Sequence, residues 1–315
     1  MIMSSIKTDE VDASSLLPPS GDGEVVCYLC LDTGANEQLR RDCACRATDA
    51  GFVHLACLNE YAASTSMQAH DMNEFVDPWH ICPSCHRYYQ NELGIDIATK
   101  FVSFVRGQYP HDTQRQVEAL YLKLFALIDM IDRLQPVQKT EAGVTANVLL
   151  SLIDRMRANV SPLPKRYSEF ETEAYNVHGE IALDEGTDES ARRAVAHFEK
   201  NLKVLETIGD DEGIAIANRN IAIAKSKYVG GNNNEELLNA SRELYELRAA
   251  KFGEEHEYTI DAGRNYALEL YDANRGVEAR ELLTKLLVSS KQVFGPDHNI
   301  TKVIVSALKS FNTSA

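Results

Sequence analysis

The sequence predicts a small metal-stabilised module followed by an all-α helical-repeat solenoid. All seven Cys of the 315-residue chain lie between Cys27 and Cys85, and no Cys follows. Beyond Cys85, apolar residues recur at helical spacing. From Tyr167 onward the chain also repeats itself, which is typical of stacked helical pairs.

The overall composition excludes several classes of protein. Hydrophobic residues make up 44% and charged residues 25%, as in an ordinary globular protein. No apolar run of about 18 residues occurs, so we expect no membrane span. The net charge of −15 repels phosphate backbones, so we expect no nucleic-acid partner. Residues 1–24 are polar, lack the pattern of a secretory signal, and are predicted to be a disordered tail.

The clustered Cys residues indicate metal binding. An odd number of Cys mixed with His favours metal ligation in a reducing compartment over disulfides, which predicts a cytoplasmic or nuclear location. Structural zinc binds four Cys or His side chains in a tetrahedron, so eight ligands make two zinc sites. The spacing C-x2-C, C-x-C, H-x2-C, C-x2-C selects these candidate ligands: Cys27, Cys30, Cys43, Cys45, His54, Cys57, Cys82 and Cys85.

Three other His residues lie near the candidate ligands. His70, His80 and His86 lack the H-x2-C spacing, so we expect them to be surface or packing residues. A module of about 60 residues has too little core to fold alone. We therefore expect the two structural zinc ions to supply the missing stability.

The ligand order of four Cys, one His and three Cys, with one residue inside the second pair, resembles the RING-CH (RING variant) family over residues 25–89. This resemblance implies a small zinc-stabilised α+β RING-type module with cross-braced sites. One ion would be held by the first and third pairs, and the other by the second and fourth. PHD fingers use the same ligand types but usually place Trp two residues before the seventh ligand. Trp79 lies three residues before Cys82, and we expect it to pack inside the module.

The RING-CH resemblance also implies partner-binding residues. Such modules recruit a ubiquitin-conjugating enzyme in a shallow apolar groove, and Leu29, Tyr61 and Pro83 match its positions. Tyr61 stands where the family commonly has Trp. His86, followed by Arg87, stands where active RINGs often carry an Arg that helps hold ubiquitin. The alternative is that Leu29, Tyr61 and Pro83 pack inside the fold.

The number of Cys residues limits the mechanism. If all seven are zinc ligands, none remains as a nucleophile, and ubiquitin transfer would occur by positioning alone. The resemblance thus implies a soluble E3 ubiquitin ligase, a RING-type transferase without a covalent Cys intermediate. Alternatives are a non-catalytic zinc-binding scaffold for protein interaction, or a PHD-like histone reader. No P-loop, dinucleotide fingerprint or nucleophile elbow occurs.

Residues 90–160 are predicted to form connecting helices. We expect Pro136 to end the second helix. The Pro-rich stretch 161–164 predicts a hinge or domain boundary. The apolar residues at helical spacing predict helices over 93–109, 117–131 and 144–156.

Residues 166–315 repeat a Phe-Gly-x-x-His pattern. Phe252-Gly253 and His256 recur as Phe294-Gly295 and His298, and Ile208-Gly209 is a looser copy. The pattern resembles kinesin-light-chain-type tetratricopeptide repeats. We expect the repeated Gly and His to fix turns, with further turns at Gly186, Gly230, Gly231 and Gly276.

The tetratricopeptide resemblance implies a concave wall lined by the first helix of each pair. Asn on that wall can bond a peptide backbone. Asn220 and Asn265 follow Arg in successive first helices, so they are candidates for holding a protein or peptide substrate. The alternative is that both lie on a solvated helix face.

Overall fold

A computed structural model of the protein describes residues 25–43, 45, 51–128, 136–228 and 234–313. The predicted tail, 1–24, lies outside the described residues. The chain divides into two compact units, Met1–Val177 and His178–Ala315. Within the described ranges, no helix is both long enough and apolar enough to cross a membrane.

The Cys-rich part of the first unit contains little regular structure. Helix α1 spans Leu55–Ser66, helix α2 spans Met72–Val76, and a 3-10 turn spans Asp77–Trp79. The β component of the predicted α+β module is limited, in the described part, to isolated bridges. These antiparallel bridges join Val26 to Thr33, Arg40 to Val53, and Ile81 to Tyr88.

Trp79 joins the Cys-rich part to the helix that follows it. Its side chain is fully buried. Its Nε1 donates to Ser66 Oγ at 2.7 Å, and Ser66 Oγ donates to the carbonyl of Phe75, also at 2.7 Å. The indole stacks on Phe101 with centroids 4.9 Å apart. The expectation that Trp79 packs inside is confirmed.

Three longer helices follow within the first unit. They are α3 (Asn91–Gln108), α4 (Thr113–Ile128) and α5 (Pro136–Asn159). Pro136 was expected to end the preceding helix; it is the first residue of α5, and the residues between α4 and α5 lie outside the described ones. Proline is tolerated in the first turn because its missing N–H would have no helical partner there. The predicted end of the preceding helix, at residue 131, lies outside the described residues.

Paired helices continue to the end of the described chain. Each packs on the next from α7 to α12, and α10 also contacts α12. This consecutive packing confirms the predicted all-helical repeats. The helices are α6 (Lys165–Asp184), α7 (Asp188–Ile208), α8 (Asp211–Tyr228), α9 (Asn234–Phe252), α10 (Glu257–Asp272), α11 (Gly276–Phe294) and α12 (Asn299–Thr313).

The Phe-Gly-x-x-His pattern builds the turns between repeats. Gly253 has φ +90°, a conformation that side chains other than glycine rarely adopt. His256 then caps α10, its Nδ1 accepting from the Tyr258 N–H at 3.2 Å, and its ring stacks on Phe252 at 4.8 Å. The copy at residues 294–298 has the same ring stacking, also at 4.8 Å. The repeated Gly and His therefore fix turns, as expected.

The other predicted turn glycines fall in two groups. Gly186, with φ +70°, lies between α6 and α7, and Gly276 is the first residue of α11. Gly230 and Gly231 lie outside the described residues.

Two His rings stack inside the second unit. His178 of α6 lies 4.9 Å from His197 of α7, centroid to centroid. The buried His178 Nε2 and His197 Nδ1 atoms have no hydrogen-bond partner among the described residues. Burial lowers the pKa of both rings, and the positive charges of His178 and Lys200 add to the effect on His197, whose pKa falls to about 4. The pair is therefore neutral near pH 7.

We expect His197→Gln to make stability less sensitive to pH between about 7.5 and 5.5. An unfolded His titrates near 6.5 and folded His197 near 4, so acidification below 6.5 protonates the unfolded state first and destabilises the fold. Thermal melts followed by far-UV circular dichroism should show that acidification lowers the melting temperature more in the wild type than in His197→Gln. The exposed His111, changed to Gln, is the control. An identical loss in wild type and His197→Gln would contradict this role.

Candidate metal centre

The first and third ligand pairs meet in one group. Cys27 and Cys30 come from the first Cys turn, His54 precedes α1, and Cys57 lies in its first turn. The four ligand atoms lie within 4.8 Å of one another. His54 Nδ1 is 3.4 Å from Cys30 Sγ and 3.7 Å from Cys57 Sγ.

The second and fourth pairs meet in another group. Cys43, Cys45, Cys82 and Cys85 also place their sulfurs within 4.8 Å of one another. The Sγ atoms of Cys45 and Cys82 are 3.8 Å apart. The two groups alternate along the chain, so the segment between the two pairs of one group contains a pair of the other. His70, His80 and His86 belong to neither group.

The ligand spacing fits tetrahedral zinc. Bonds of about 2.3 Å to sulfur and 2.0–2.1 Å to nitrogen place tetrahedral S···S neighbours about 3.8 Å apart and S···N neighbours about 3.6 Å apart. The observed 3.8 Å between sulfurs, and 3.4 and 3.7 Å between sulfur and nitrogen, agree with these values. All donors are thiol or imidazole, which are the ligands of closed structural zinc sites.

The two C-x2-C segments adopt the same tight turn. Leu31 donates its N–H to the carbonyl of Cys27 at 2.8 Å, and His86 donates to that of Cys82 at 2.9 Å. Leu31 and His86 have φ of +64° and +55°, unusual for residues other than glycine. Each turn brings two sulfurs to one point, and sequence analysis had not identified these left-handed positions.

The sulfurs of the second group lie so close together that their ionised forms repel one another. The Cys43 thiol donates to Cys82, and this hydrogen bond is the main reason that the pKa of Cys82 falls to about 4. The same contact, followed by burial, raises the pKa of Cys43 well above its usual range. Without a cation, the four thiols therefore cannot all ionise near neutral pH. A divalent metal ion held by this group would offset the repulsion and bind the sulfurs as thiolates.

A backbone carbonyl orients the His ligand. His54 Nε2 lies 3.0 Å from the carbonyl oxygen of Thr33, which can only accept, so Nε2 carries the proton. The unprotonated Nδ1 then faces the sulfurs of its group. Such outer hydrogen bonds commonly fix the tautomer of a metal-binding His. Because the acceptor is a main-chain atom, no residue type in the sequence indicates it.

The predicted groove residues lie on three separate segments of the module. Leu29 is in the first Cys turn, Tyr61 is in α1, Pro83 is in the second Cys turn, and all three are half-buried. His86 is exposed beside Pro83. Sequence analysis missed Leu31, which follows the second ligand and is 72% exposed. An exposed Leu beside a metal ligand is available for contact with a partner.

The predicted peptide-binding residues lie on two helices of the repeat region. Asn220 of α8 and Asn265 of α10 are both half-buried. The preceding Arg219 contacts α9 and α10. Its Nε donates to Ser241 Oγ of α9 at 3.0 Å, and its Nη2 lies 3.5 Å from Glu269 Oε1 of α10.

Comparisons with known proteins support the helical repeats. No protein-family model matches the sequence, and neither does any curated protein. BtubC (BKLC) from P. vanneervenii is 15% identical with a TM-score of 0.50, covering 71% of this chain and 91% of that chain. Putative kinesin light chain TPR-like repeats from Podosopora anserina are 13% identical with a TM-score of 0.43, covering 76% and 96%. A variant of the same repeats is 12% identical with a TM-score of 0.46, covering 76% and 95%. The likeness to BtubC shows the helical-repeat fold.

Gly51 lies against the second metal group. It has φ +85°, and a Cβ there would lie 2.9 Å from Cys45 Cβ and 3.0 Å from Cys43 Sγ. A larger residue would therefore strain the backbone and displace two ligands together. Sequence analysis did not single out this glycine, although its position between the second and third ligand pairs was visible.

We expect the wild type to hold two zinc ions per chain and Gly51→Ala to hold about one, because only the second group is disturbed. Metal analysis of protein purified with zinc measures this, alongside a lower melting temperature. Gly107→Ala is the matched control, since nothing lies within 4 Å of a Cβ there. Full occupancy of both sites in Gly51→Ala would argue against this geometry.

Proposed function

We propose that this protein binds two structural zinc ions in a RING-CH-type module and acts as an E3 ubiquitin ligase. The observation that carries the proposal is the alternation of the two ligand groups along the chain. Two alternating metal sites would stabilise a small domain that lacks a large core. The RING-CH resemblance implies that such a domain recruits a ubiquitin-conjugating enzyme. When bound, zinc supplies structural cross-links and no chemistry in the transfer itself.

The proposed mechanism is catalysis by positioning the ubiquitin thioester of the conjugating enzyme. All seven Cys belong to the two groups, so no thiol of the chain remains to carry ubiquitin. Transfer would pass directly from the conjugating enzyme to the substrate. Leu29, Tyr61 and Pro83, with the exposed Leu31, would contact the conjugating enzyme and hold its thioester in a reactive orientation.

The helical repeats would hold the substrate. Helical arrays of this kind offer an extended binding surface built from successive first helices. In this proposal Asn220 and Asn265 hydrogen-bond the backbone of a bound peptide. Arg219 supports this surface by linking α8 to α9 and α10.

A non-catalytic scaffold is the second candidate. Two departures from the family favour it: Tyr61 replaces the usual groove Trp, and His86 replaces the usual Arg after the last ligand. His86 is exposed but carries a shorter side chain with fewer donors than Arg. In this function the same surface would dock a protein without promoting transfer.

We expect Leu29→Ala to reduce autoubiquitination at least about tenfold while both zinc ions stay bound, because it removes apolar contact with the conjugating enzyme. The assay uses full-length protein with a panel of conjugating enzymes. Val137→Ala removes a similarly apolar side chain, 77% exposed, from α5 and should leave activity unchanged. Absence of activity with every enzyme, in zinc-loaded wild type, would favour the scaffold.

We expect the double variant Asn220→Ala with Asn265→Ala to lose partners that the wild type captures, because two backbone hydrogen bonds disappear. Quantitative affinity capture measures the loss, and circular dichroism should show unchanged helicity. Asn239→Ala, on the second helix of its pair, is the control. Full partner capture by the double variant would remove Asn220 and Asn265 from the binding surface.

A further inference from the structure

One motif of the sequence belongs neither to the metal groups nor to the turns of the repeats, namely Ser161 followed directly by Pro162. It lies in the segment that joins α5 to α6. Of the nine Pro residues in the chain, Pro162 alone follows a Ser or Thr. An enzyme that recognises this dipeptide would therefore find it at a single place in the 315-residue sequence.

The segment around Ser161 is accessible and its main chain is unpaired. Residues 157–162 are all exposed. At the end of α5, the Val160 N–H donates to the Met156 carbonyl at 2.8 Å, and at the start of α6 the Tyr167 N–H donates to the Pro164 carbonyl at 2.9 Å. Between these two bonds, no backbone N–H of 161–163 donates to the backbone of a described residue. An enzyme could therefore take this segment into a cleft without breaking main-chain hydrogen bonds.

Proline gives the acceptor segment its shape. The residue before a proline is driven from the helical region toward extended conformations, because the ring clashes with its backbone. Neither Pro162 nor Pro164 has an N–H that would need an acceptor in a binding cleft. Protein kinases bind the acceptor segment in extended form, and one class of them requires proline directly after the acceptor, where the ring enters an apolar pocket. Ser161 and Pro162 fit that class.

The charges around Ser161 are positive although the chain as a whole is acidic. Residues 155–168 contain four basic and no acidic residues, in a chain of net charge −15. Arg157 and Arg166 each pair with a buried Glu. Arg155 and Lys165 are exposed and form no ion pair with a described residue. Free positive charge beside the acceptor suits both an acidic site on a kinase and the phosphate that it adds.

Ser151 shows what Ser161 has that other exposed hydroxyls lack. It is also exposed, but it lies within α5 and is followed by Leu152. To become extended, its segment would have to break several helical hydrogen bonds. The folded chain therefore presents Ser161 to a kinase and withholds Ser151.

We propose that Ser161 is a phosphorylation site for a proline-directed Ser/Thr kinase. Its Oγ attacks the γ-phosphorus of Mg²⁺-bound ATP. The Oγ–P bond forms while the bond from that phosphorus to the β,γ-bridging oxygen breaks, ADP leaves, and a carboxylate of the kinase accepts the hydroxyl proton. Pro162 fills the apolar pocket of the kinase, and Lys165 pairs with an acidic group on it. The proposal requires no ligase activity.

Incubation of the zinc-loaded full-length protein with Mg²⁺-ATP and either a cyclin-dependent or a mitogen-activated kinase tests the proposal. Intact-mass measurement should show a single added phosphate, and peptide mass spectrometry should place it on Ser161. Ser161→Ala should receive none. Ser151→Ala is the matched control, because it removes an exposed hydroxyl from the adjoining helix, and it should be phosphorylated like the wild type.

Two further substitutions test recognition while leaving the acceptor in place. Pro162→Ala should slow phosphorylation at least about tenfold, because the pocket for the ring stays empty. Lys165→Gln should slow it about threefold, as expected for the loss of an exposed ion pair. Lys302→Gln makes the same change at an exposed position of α12 and should leave the rate unchanged. Circular dichroism should show unchanged helicity in every variant.

Three results would overturn the proposal. One is that neither kinase phosphorylates the folded wild type; a peptide of residues 155–168 that is phosphorylated under the same conditions would identify the fold as the cause. Another is equal phosphorylation of the wild type and Ser161→Ala, which would place the acceptor elsewhere. The third is an equal rate for the wild type and Pro162→Ala, which would exclude proline-directed recognition.

Discussion

The proposed zinc module depends on the charge balance inside its two Cys/His groups. In the second group, four sulfurs held as close as those of Cys45 and Cys82, 3.8 Å apart, cannot all ionise without a cation between them. A bound divalent ion would turn this repulsion into cohesion, worth about 10–16 kcal/mol per structural site in zinc-finger peptides. That energy would exceed what isolated bridges and two short helices contribute by hydrophobic burial alone. The proposed module and its groove would thus persist only while the ligands stay together.

The order imposed by the metal groups extends outward through aromatic packing. Cys82 follows Trp79 closely, and Trp79 stacks on Phe101 of α3 while its indole N–H bonds to Ser66. Tyr88, three residues after Cys85, meets the ring of Phe125 of α4 edge-on. Helices α3 and α4 are therefore both in aromatic contact with residues that flank the turn carrying the last two candidate ligands.

Sequence reasoning succeeded where function depends on local spacing. The two ligands of each pair are two or three residues apart, so the spacing alone predicted that each pair converges. The sharing of one ion by alternate pairs was implied by the RING-CH resemblance, and both groups have the expected members. The Phe-Gly-x-x-His turns were visible for the same reason, since Gly253 and His256 act within one turn. Pro136 is the first residue of α5, and its presence alone did not predict this, because proline can both end one helix and begin another.

Features that depend on distant contacts could not be predicted. Thr33 acts through its carbonyl, and Gly51 acts through the absence of a side chain beside Cys43. Glu118 and Arg166 are 48 residues apart, and neither stands in a motif. Their pairing arises only when α6 packs against α4, which no local pattern encodes.

In the proposed function every Cys is a zinc ligand, and this limits how ubiquitin could be transferred. A chain with no spare thiol cannot carry ubiquitin as a thioester on its own Cys, so its activity would depend on which partners its surfaces hold in position. The proposed binding surfaces of the metal module and of the helical repeats differ in chemistry, the first being apolar and the second amide-bearing. Specificity in the proposed function would therefore come from the combination of partners.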